Sequence, residues 1–147
     1  MTAESESIIA ATLANGGTCP ITEEKVMKHD SVRNVLSLML SCGLYNHSGD
    51  FAFEVGLPAK SGVSGTLMVV VPDVMGICLW SPPLGEFGNS IRGLKFCEEL
   101  VKVYNFQQPK SLGFGQIDSC AKCQQVLKEE VILCTFDSIQ PLLGPTP

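Results

Sequence analysis

The sequence predicts an α/β (α+β) domain in which an antiparallel β-hairpin packs against helices. The apolar, β-branched run Thr66–Val71 and the apolar run Met75–Trp80 are separated by Pro72-Asp73-Val74, which is the pattern of a hairpin and its turn. Helical apolar spacing flanks this hairpin along the chain, over residues 8–15, 32–44 and 91–104. The chain of 147 residues is long enough to bury one hydrophobic core around these elements.

Composition and charge exclude several classes of partner. Hydrophobic residues make up 45% of the chain and charged residues 17%, which is typical of a globular protein. The net charge of −5 disfavours nucleic acid and anionic membrane surfaces, because both attract basic faces. The sequence has no apolar run of the roughly 18 residues that a membrane span needs. We therefore expect neither a nucleic-acid partner nor a membrane partner.

The cysteines and the N-terminal residues predict an intracellular, reducing compartment. The chain has 7 cysteines, an odd number. The acidic segment Met1–Ser7 has no arginine and the pattern of neither a signal peptide nor a mitochondrial transit peptide. Cys42, Cys78 and Cys97 lie among apolar neighbours, and we expect them to be small buried hydrophobic residues.

The first two helical segments differ in their predicted burial. Residues 8–15 form a predicted amphipathic helix that two glycines then end. Residues 32–44, which Asp30 or Ser31 is expected to cap, are apolar nearly all round, which is typical of a central helix buried on most sides. Phe51–Val55 is too short for periodicity to decide between a helical turn and a strand.

The third helix and the chain beyond it differ in regularity. Asn89 or Ser90 is expected to cap this helix, whose apolar stripe predicts that it lies on one face of the hairpin. The stripe consists of Ile91, Leu94, Cys97, Leu100, Val101 and Tyr104. Residues 107–147 lack such a pattern and are predicted to be a divergent, weakly ordered tail, with a helix or strand within 123–136. The sequence thus divides into 1–106 and this tail.

Two short motifs in the tail carry little weight. Cys120-Ala121-Lys122-Cys123 has the spacing of a zinc half-site or a redox pair, but a zinc site needs four ligands and no histidine lies nearby in the sequence. Ser119 and Lys122 match the Ser-x-x-Lys nucleophile signature, which a chain with this many serines and lysines produces by chance. We therefore predict no metal site and no cofactor.

The stretch Tyr45–Gly65 is the strongest candidate for a binding loop. It is rich in glycine and hydroxyl side chains and leads into an apolar strand, an arrangement that places polar groups at a sheet edge. Tyr45 either makes a structural hydrogen bond or accepts a proton during catalysis, and the second role requires a nearby cation. Lys60 is the candidate cation, although such a lysine more often lies free on the surface.

Ordered segments between residues 5 and 106 match one known family. The matching segments are Ala11–Gly17, Cys19–Thr22, Val32–Asn34, Leu36–Met39, Ser41–Tyr45, Ser48–Gly49, Phe51–Phe53, Val55–Val63, Val69–Pro72, Val74–Gly76, Trp80–Leu84 and Gly88–Ser90. In these segments the chain resembles the serine-dependent glutaminases, the animal type in particular. Matches at consistent spacing over this length are far more specific than a single short motif.

The resemblance implies a β-lactamase/transpeptidase-like fold and hydrolysis of L-glutamine to L-glutamate and ammonia, without a cofactor. In that family a serine attacks the side-chain amide, a tyrosine relays its proton, and backbone amides hold the developing oxyanion. Tyr45 matches the relay tyrosine, and Val63 matches the residue whose amide helps to form the oxyanion hole. Lys60, Ser61 and Gly62 match the Lys-Ser/Thr-Gly element on the strand beside the site.

The resemblance also implies that the domain is incomplete in this chain. The family's nucleophilic serine, its lysine partner and most glutamine-binding residues lie upstream of the matched region, so the isolated chain is expected to be inactive. Its sheet is expected to expose unpaired strand edges around Thr66–Val71. The animal relatives are mitochondrial, although Met1–Ser7 does not have the pattern of a transit peptide.

Two hypotheses about function therefore stay open. The first is a glutaminase-family enzyme chain that lacks the nucleophile half. The second is a non-catalytic fragment that associates with full-length glutaminase subunits. A penicillin-binding-type serine hydrolase is a weaker third interpretation, because it depends on Lys60-Ser61-Gly62 alone.

Overall fold

The computed structural model describes residues 1–104 and the backbone of the strand 131–135. The helices in these residues are α1 (Ala3–Ala14), α2 (His29–Cys42), α3 (Ser48–Glu54) and α4 (Ile91–Val103), with a 3-10 helix at Tyr45–His47. The strands are β1 (Ala59–Ser61), β2 (Thr66–Val71), β3 (Met75–Trp80) and β4 (Val131–Thr135). The Cys120–Cys123 and Ser119–Lys122 motifs lie outside the described residues, as does most of the predicted tail.

The predicted hairpin is confirmed, and it forms the middle of an antiparallel sheet. The strand order is β1-β2-β3-β4, with Val71 opposite Met75 across the turn. The Val74 amide donates to the Val71 carbonyl at 3.1 Å and closes that turn. Strand β2 pairs with β1 on one side and β3 on the other, so the predicted unpaired edge around Thr66–Val71 is wrong. The three-residue β1 supplies the pairing that the sequence pattern concealed within the glycine-rich stretch.

Helix α1 packs directly against β3 because a glycine lies at their contact. A Cβ at Gly76 would overlap the backbone of Ala10 and Ala11, so no other residue allows the two backbones to approach so closely. The helix starts at Ala3, earlier than predicted, because Thr2 caps it by accepting a hydrogen bond from the Ser5 amide. Across the same contact, the Cys78 thiol donates to a Glu6 carboxylate oxygen at 3.2 Å.

Helix α2 corrects three of the sequence predictions. Its buried side chains are Val32 and Met39, while Leu38 is 62% exposed and Cys42 is also exposed. The prediction of a helix buried on most sides is therefore wrong, and so is the burial of Cys42. The apolar pattern shows that several faces of α2 could be buried, but the described residues pack against only one of these faces. Capping by Asp30 or Ser31 is also wrong, because the N-cap is Lys28 and makes no side-chain cap bond.

The main core lies between the sheet, α3 and α4. Phe51 and Val55 enter it from the end of α3, which settles the open choice for this segment in favour of a helix. Helix α4 contributes Cys97 and Leu100, and it lies on a face of the hairpin as predicted. Ser90 caps α4 by accepting a hydrogen bond from the Gly93 amide, which confirms one of the two predicted capping residues. Among the described residues, the helices are too short or too polar to cross a membrane.

Candidate active site

Tyr45 follows α2 in an unusual backbone conformation. Its φ is 54°, in the left-handed region that bulky residues rarely adopt and that costs on the order of 1–3 kcal/mol. Two hydrogen bonds from the next turn hold it there. The Leu44 amide donates to Ser48 Oγ at 2.9 Å, and Ser48 Oγ donates to the Tyr45 carbonyl at 2.8 Å. Strain that its surroundings maintain in this way is common at functional sites.

The Tyr45 side chain reaches from this turn to strand β1. Its hydroxyl donates to the Ser61 carbonyl at 3.1 Å, and its ring stays 44% exposed. Lys60 Nζ lies 4.8 Å from the ring centroid and donates to the same Ser61 carbonyl. The structural hydrogen bond and the nearby cation, which the sequence offered as alternatives, therefore occur together. Lys60 lies at the surface, where its ammonium group is hydrogen-bonded to the Ser61 carbonyl.

Strand β1 is fixed at the end of α2 by backbone contact. The Ser61 amide donates to the Gly43 carbonyl at 3.0 Å, and a Cβ at Gly43 would overlap the Ala59 carbonyl. The Ser61 side chain is buried and points to the interior, where its Oγ accepts a hydrogen bond from Asn89. A buried hydroxyl held in this way is not exposed to a substrate, so Ser61 meets the site through its backbone carbonyl.

Val63 lies at the exposed tip of the turn that follows β1. The Gly65 amide donates to the Gly62 carbonyl at 3.0 Å, so Val63 occupies the second position of a four-residue turn. Its side chain is 75% exposed, and its amide makes no hydrogen bond with another described residue. Trp80 Nε1 supports the turn by donating to the Ser64 carbonyl at 3.1 Å. The Val63 N–H is therefore a fixed donor that is available to a ligand.

The loop before α4 completes the surroundings of Tyr45, and sequence reasoning gave it no role in the site. Gly88, at φ +79°, lies against the tyrosine ring, and a Cβ placed there would be 4.0 Å from two ring atoms. The neighbouring Phe87 ring stacks on His47 at 6.2 Å between centroids. Asn89 is buried and donates to the Leu44 carbonyl at 3.2 Å. In the sequence, Asn89 and Ser90 stand before a helix, and that position predicts only that one of them caps the helix.

These residues can move a proton and stabilise negative charge, and they have no metal-binding character. The structure brings Tyr45, Lys60 and Ser61 into contact and places the Val63 amide two residues beyond Ser61. Among residues 1–104, no group of three histidine, cysteine or acidic side chains is arranged to hold a metal ion. The chemistry available to these side chains is proton transfer by a phenol beside an ammonium group, next to a free backbone donor.

An antiparallel sheet covered by helices, with this tyrosine–lysine pair at its edge strand, belongs to the α/β domains of β-lactamase-like fold. The chain covers part of such a domain, which confirms the predicted fold class. The family model named Glutaminase matches residues 1–108. The chain therefore belongs to the glutaminase family, as its resemblance predicted.

The relatives of this chain are much longer than the region that they share with it. The mitochondrial liver isoform of glutaminase from Rattus norvegicus is 59% identical over 112 residues, which are 76% of this chain and 19% of the rat protein. Glutaminase 1 of Escherichia coli is 51% identical over 98 residues, or 67% of this chain and 32% of that protein. The chain thus spans 19% and 32% of the length of these two relatives.

A solved structure supports the same fold. The glutaminase YbgJ of Bacillus subtilis, in a covalent complex with 5-oxo-L-norleucine, superposes with a TM-score of 0.67 at 39% identity. The superposition covers 69% of this chain and 37% of the Bacillus chain. That complex was formed by reaction of the protein with 6-diazo-5-oxo-L-norleucine.

Proposed function

We propose that residues 1–106 form one wall of an active site that hydrolyses L-glutamine to L-glutamate and ammonia. One observation carries this proposal above the others. In a chain of the glutaminase family, the Tyr45 phenol is held on β1 with the Lys60 ammonium 4.8 Å from its ring centroid. The family model ends at residue 108, which supports the proposed division into a C-terminal portion of the catalytic domain and a divergent tail over 107–147.

In the proposed reaction, a serine from the preceding part of the family domain attacks the carboxamide carbon of glutamine. The Tyr45 hydroxyl relays the proton: its oxygen accepts the serine proton as its own proton passes to the departing nitrogen, so that ammonia leaves and an acyl-enzyme remains. Water then attacks the acyl carbon, and the same hydroxyl passes a proton from the water to the serine oxygen as the bond between that oxygen and the acyl carbon breaks, which releases glutamate and restores the serine. The Val63 amide donates to the oxyanion in both tetrahedral intermediates. The covalent complex of the Bacillus relative supports an acyl-enzyme route.

Lys60 has an electrostatic role in this proposal. Its ammonium group is next to the phenol that gains and loses a proton, so it favours negative charge on the phenolic oxygen during transfer. Ser61 and Gly62 act through the backbone, the first by holding the Tyr45 hydroxyl and the second by opening the turn that presents Val63. The proposed compartment is intracellular and reducing, and mitochondrial by analogy with the rat relative.

A hybrid enzyme tests the proposal. In it, the 147-residue chain replaces the part of Bacillus subtilis glutaminase that it matches. We expect the hybrid to release ammonia from L-glutamine and the 147-residue polypeptide alone to release none. Tyr45→Phe should lower kcat by about 100-fold or more, because a positioned proton-transfer group contributes on that scale. Tyr104→Phe is the matched control and should leave kcat within about twofold.

Two results would contradict the proposal. One is a hybrid that melts cooperatively and reacts with 6-diazo-5-oxo-L-norleucine but releases no ammonia. The other is a hybrid whose Tyr45→Phe variant releases ammonia as fast as its parent.

A second candidate function is association with a complete glutaminase subunit. It is favoured by the apolar side chains that the described residues leave exposed on α2 and α3, namely Leu38, Leu40 and Phe53, which are 62%, 37% and 89% exposed. If the most exposed of these on α2, Leu38, docks on another glutaminase chain, the protein should co-purify with the rat liver isoform. Leu38→Lys should abolish that capture, and the control Asn34→Lys, at an exposed polar position of the same helix, should not.

A further inference from the structure

We propose that Asn89 is a positioning residue that sets the reactive geometry of Tyr45. The inference rests on the proposed function only in its catalytic consequence, because the geometric claim stands on contacts alone. Asn89 precedes α4 and is far from Tyr45 in the sequence, yet its side-chain amide joins the two segments between which the phenol is held. No polar group of Asn89 contacts Tyr45 itself among the described residues, so its effect is transmitted through the backbone.

The two donated hydrogen bonds of Asn89 define this role. Its Nδ2 donates to the Leu44 carbonyl at 3.2 Å, immediately before the strained Tyr45, and to Ser61 Oγ at 2.7 Å. Ser61 is also the residue whose carbonyl accepts the Tyr45 hydroxyl. One buried amide group therefore fixes both the backbone from which the tyrosine side chain starts and the strand on which it ends. The distance between these two points determines where the phenolic oxygen lies.

Filling space in the core does not explain why an asparagine occupies position 89. Its side chain is 2% exposed, and its Oδ1 has no hydrogen-bond partner among the described residues. An unpaired buried carbonyl is destabilising, so an apolar residue of similar size would fill this position at a lower cost. What asparagine provides, and an apolar residue does not, is the pair of hydrogen bonds that Nδ2 donates to the Leu44 carbonyl and Ser61 Oγ. Those bonds oppose the relaxation of Tyr45 out of its left-handed conformation, together with the two bonds of Ser48.

The neighbouring Ser90 provides a matched control. It is also buried, and its hydroxyl accepts a hydrogen bond from the Gly93 amide as the cap of α4, with no hydrogen bond from its side chain to the Tyr45 turn or β1 among the described residues. Removing either side chain breaks buried hydrogen bonds and lowers stability. A loss of stability alone would therefore affect Asn89→Ala and Ser90→Ala alike, whereas loss of positioning would affect Asn89→Ala alone.

The catalytic test compares these variants in the hybrid enzyme. We expect Asn89→Ala to lower kcat by about 10- to 100-fold with KM within about threefold, because small displacements of a reacting group have effects of this size. Ser90→Ala should lower the melting temperature and leave kcat within about twofold. Ser61→Ala removes one of the two acceptors without deleting the amide, so it should give a smaller loss of kcat and serves if Asn89→Ala does not fold. Equal kcat in the Asn89, Ser61 and Ser90 variants would overturn the inference.

A spectroscopic test on the 147-residue protein separates this inference from the proposed function. The chain has two tyrosines, so Tyr104→Phe with ring-13C tyrosine leaves the Tyr45 signal alone. Asn89→Ala should shift or broaden that signal, and Ser90→Ala should not. If the hybrid releases no ammonia but this difference is observed, the proposed function fails and the positioning role stands. If both variants leave the Tyr45 signal unchanged, Asn89 does not position the tyrosine.

Discussion

Tyr45 has neighbours that come from three separate parts of the chain. Its backbone is held by Ser48 nearby, its hydroxyl by Ser61 and its ring by Lys60 and Gly88. The sequence could predict Lys60 as the partner cation, because that pairing needed only a positive side chain in the same loop. It could not predict the part played by the residues before α4. Contacts across more than 40 positions depend on the fold and leave no local pattern.

Val63 allows a substitution that tests its backbone rather than its side chain. Proline is favoured at the second position of such a turn, so Val63→Pro should keep the turn and remove the N–H. In the hybrid enzyme we expect kcat to fall by about 100- to 1,000-fold, which is typical for loss of one oxyanion-hole donor.

Val63→Ala is the control for that substitution, because it shortens an exposed side chain and retains the N–H. Its kcat should match that of the parent. A proline variant that is as active as the alanine variant would exclude the Val63 amide from the oxyanion hole.

For helices and strands, a prediction succeeded where the segment was long enough to show a clear apolar pattern. The hairpin was predictable because two apolar runs, the first of them β-branched, flank a proline turn. Strand β1 has three residues, too few to show a period, and its inclusion in the sheet depends on pairing with β2. The burial of α2 was mispredicted for another reason. A sequence shows how apolar a helix is, but the neighbours that cover its faces are tertiary information.

The contact of α1 with β3 gives a prediction at this scale. Gly76→Ala places a methyl group in the α1 backbone, and we expect the free energy of unfolding to fall by about 1–3 kcal/mol or more, the usual cost of overpacking. Chemical denaturation monitored by circular dichroism measures the change.

Gly49→Ala is the matched control, because it adds the same methyl group where no atom lies within 4 Å. Gly49 lies in helix α3, so alanine should leave stability unchanged or raise it by up to about 1 kcal/mol. Similar losses in the two variants would show that α1 does not pack tightly on β3.

For the whole molecule, the buried thiols link stability to pH. Burial, followed by the hydrogen bond to Glu6 and repulsion by its charge, raises the pKa of Cys78 from 9.0 to about 12, and burial also raises the pKa of Cys97. In the unfolded chain these thiols ionise near their ordinary pKa, while in the folded chain they stay protonated. The unfolded form therefore binds fewer protons above pH 9, so stability should fall as the pH rises from about 9 to 12.

Denaturation midpoints measured between pH 8 and pH 11 check this expectation. Cys78→Ala should make the dependence on pH shallower, even though the lost side chain lowers stability at neutral pH. Cys42→Ala, which removes an exposed thiol, is the control for loss of a cysteine. An equal slope in all three proteins would show that Cys78 does not couple folding to pH.

The glycine at the end of α2 has a mechanical consequence. At Gly43 the helix and strand β1 meet backbone against backbone, and the Ser61 amide bonds to its carbonyl. No flexible side chain lies between them to absorb a displacement. A displacement of α2, for example by a partner bound to its exposed side, should therefore move β1 with it. Because the Tyr45 hydroxyl is bonded to β1, the phenol should shift by a similar amount.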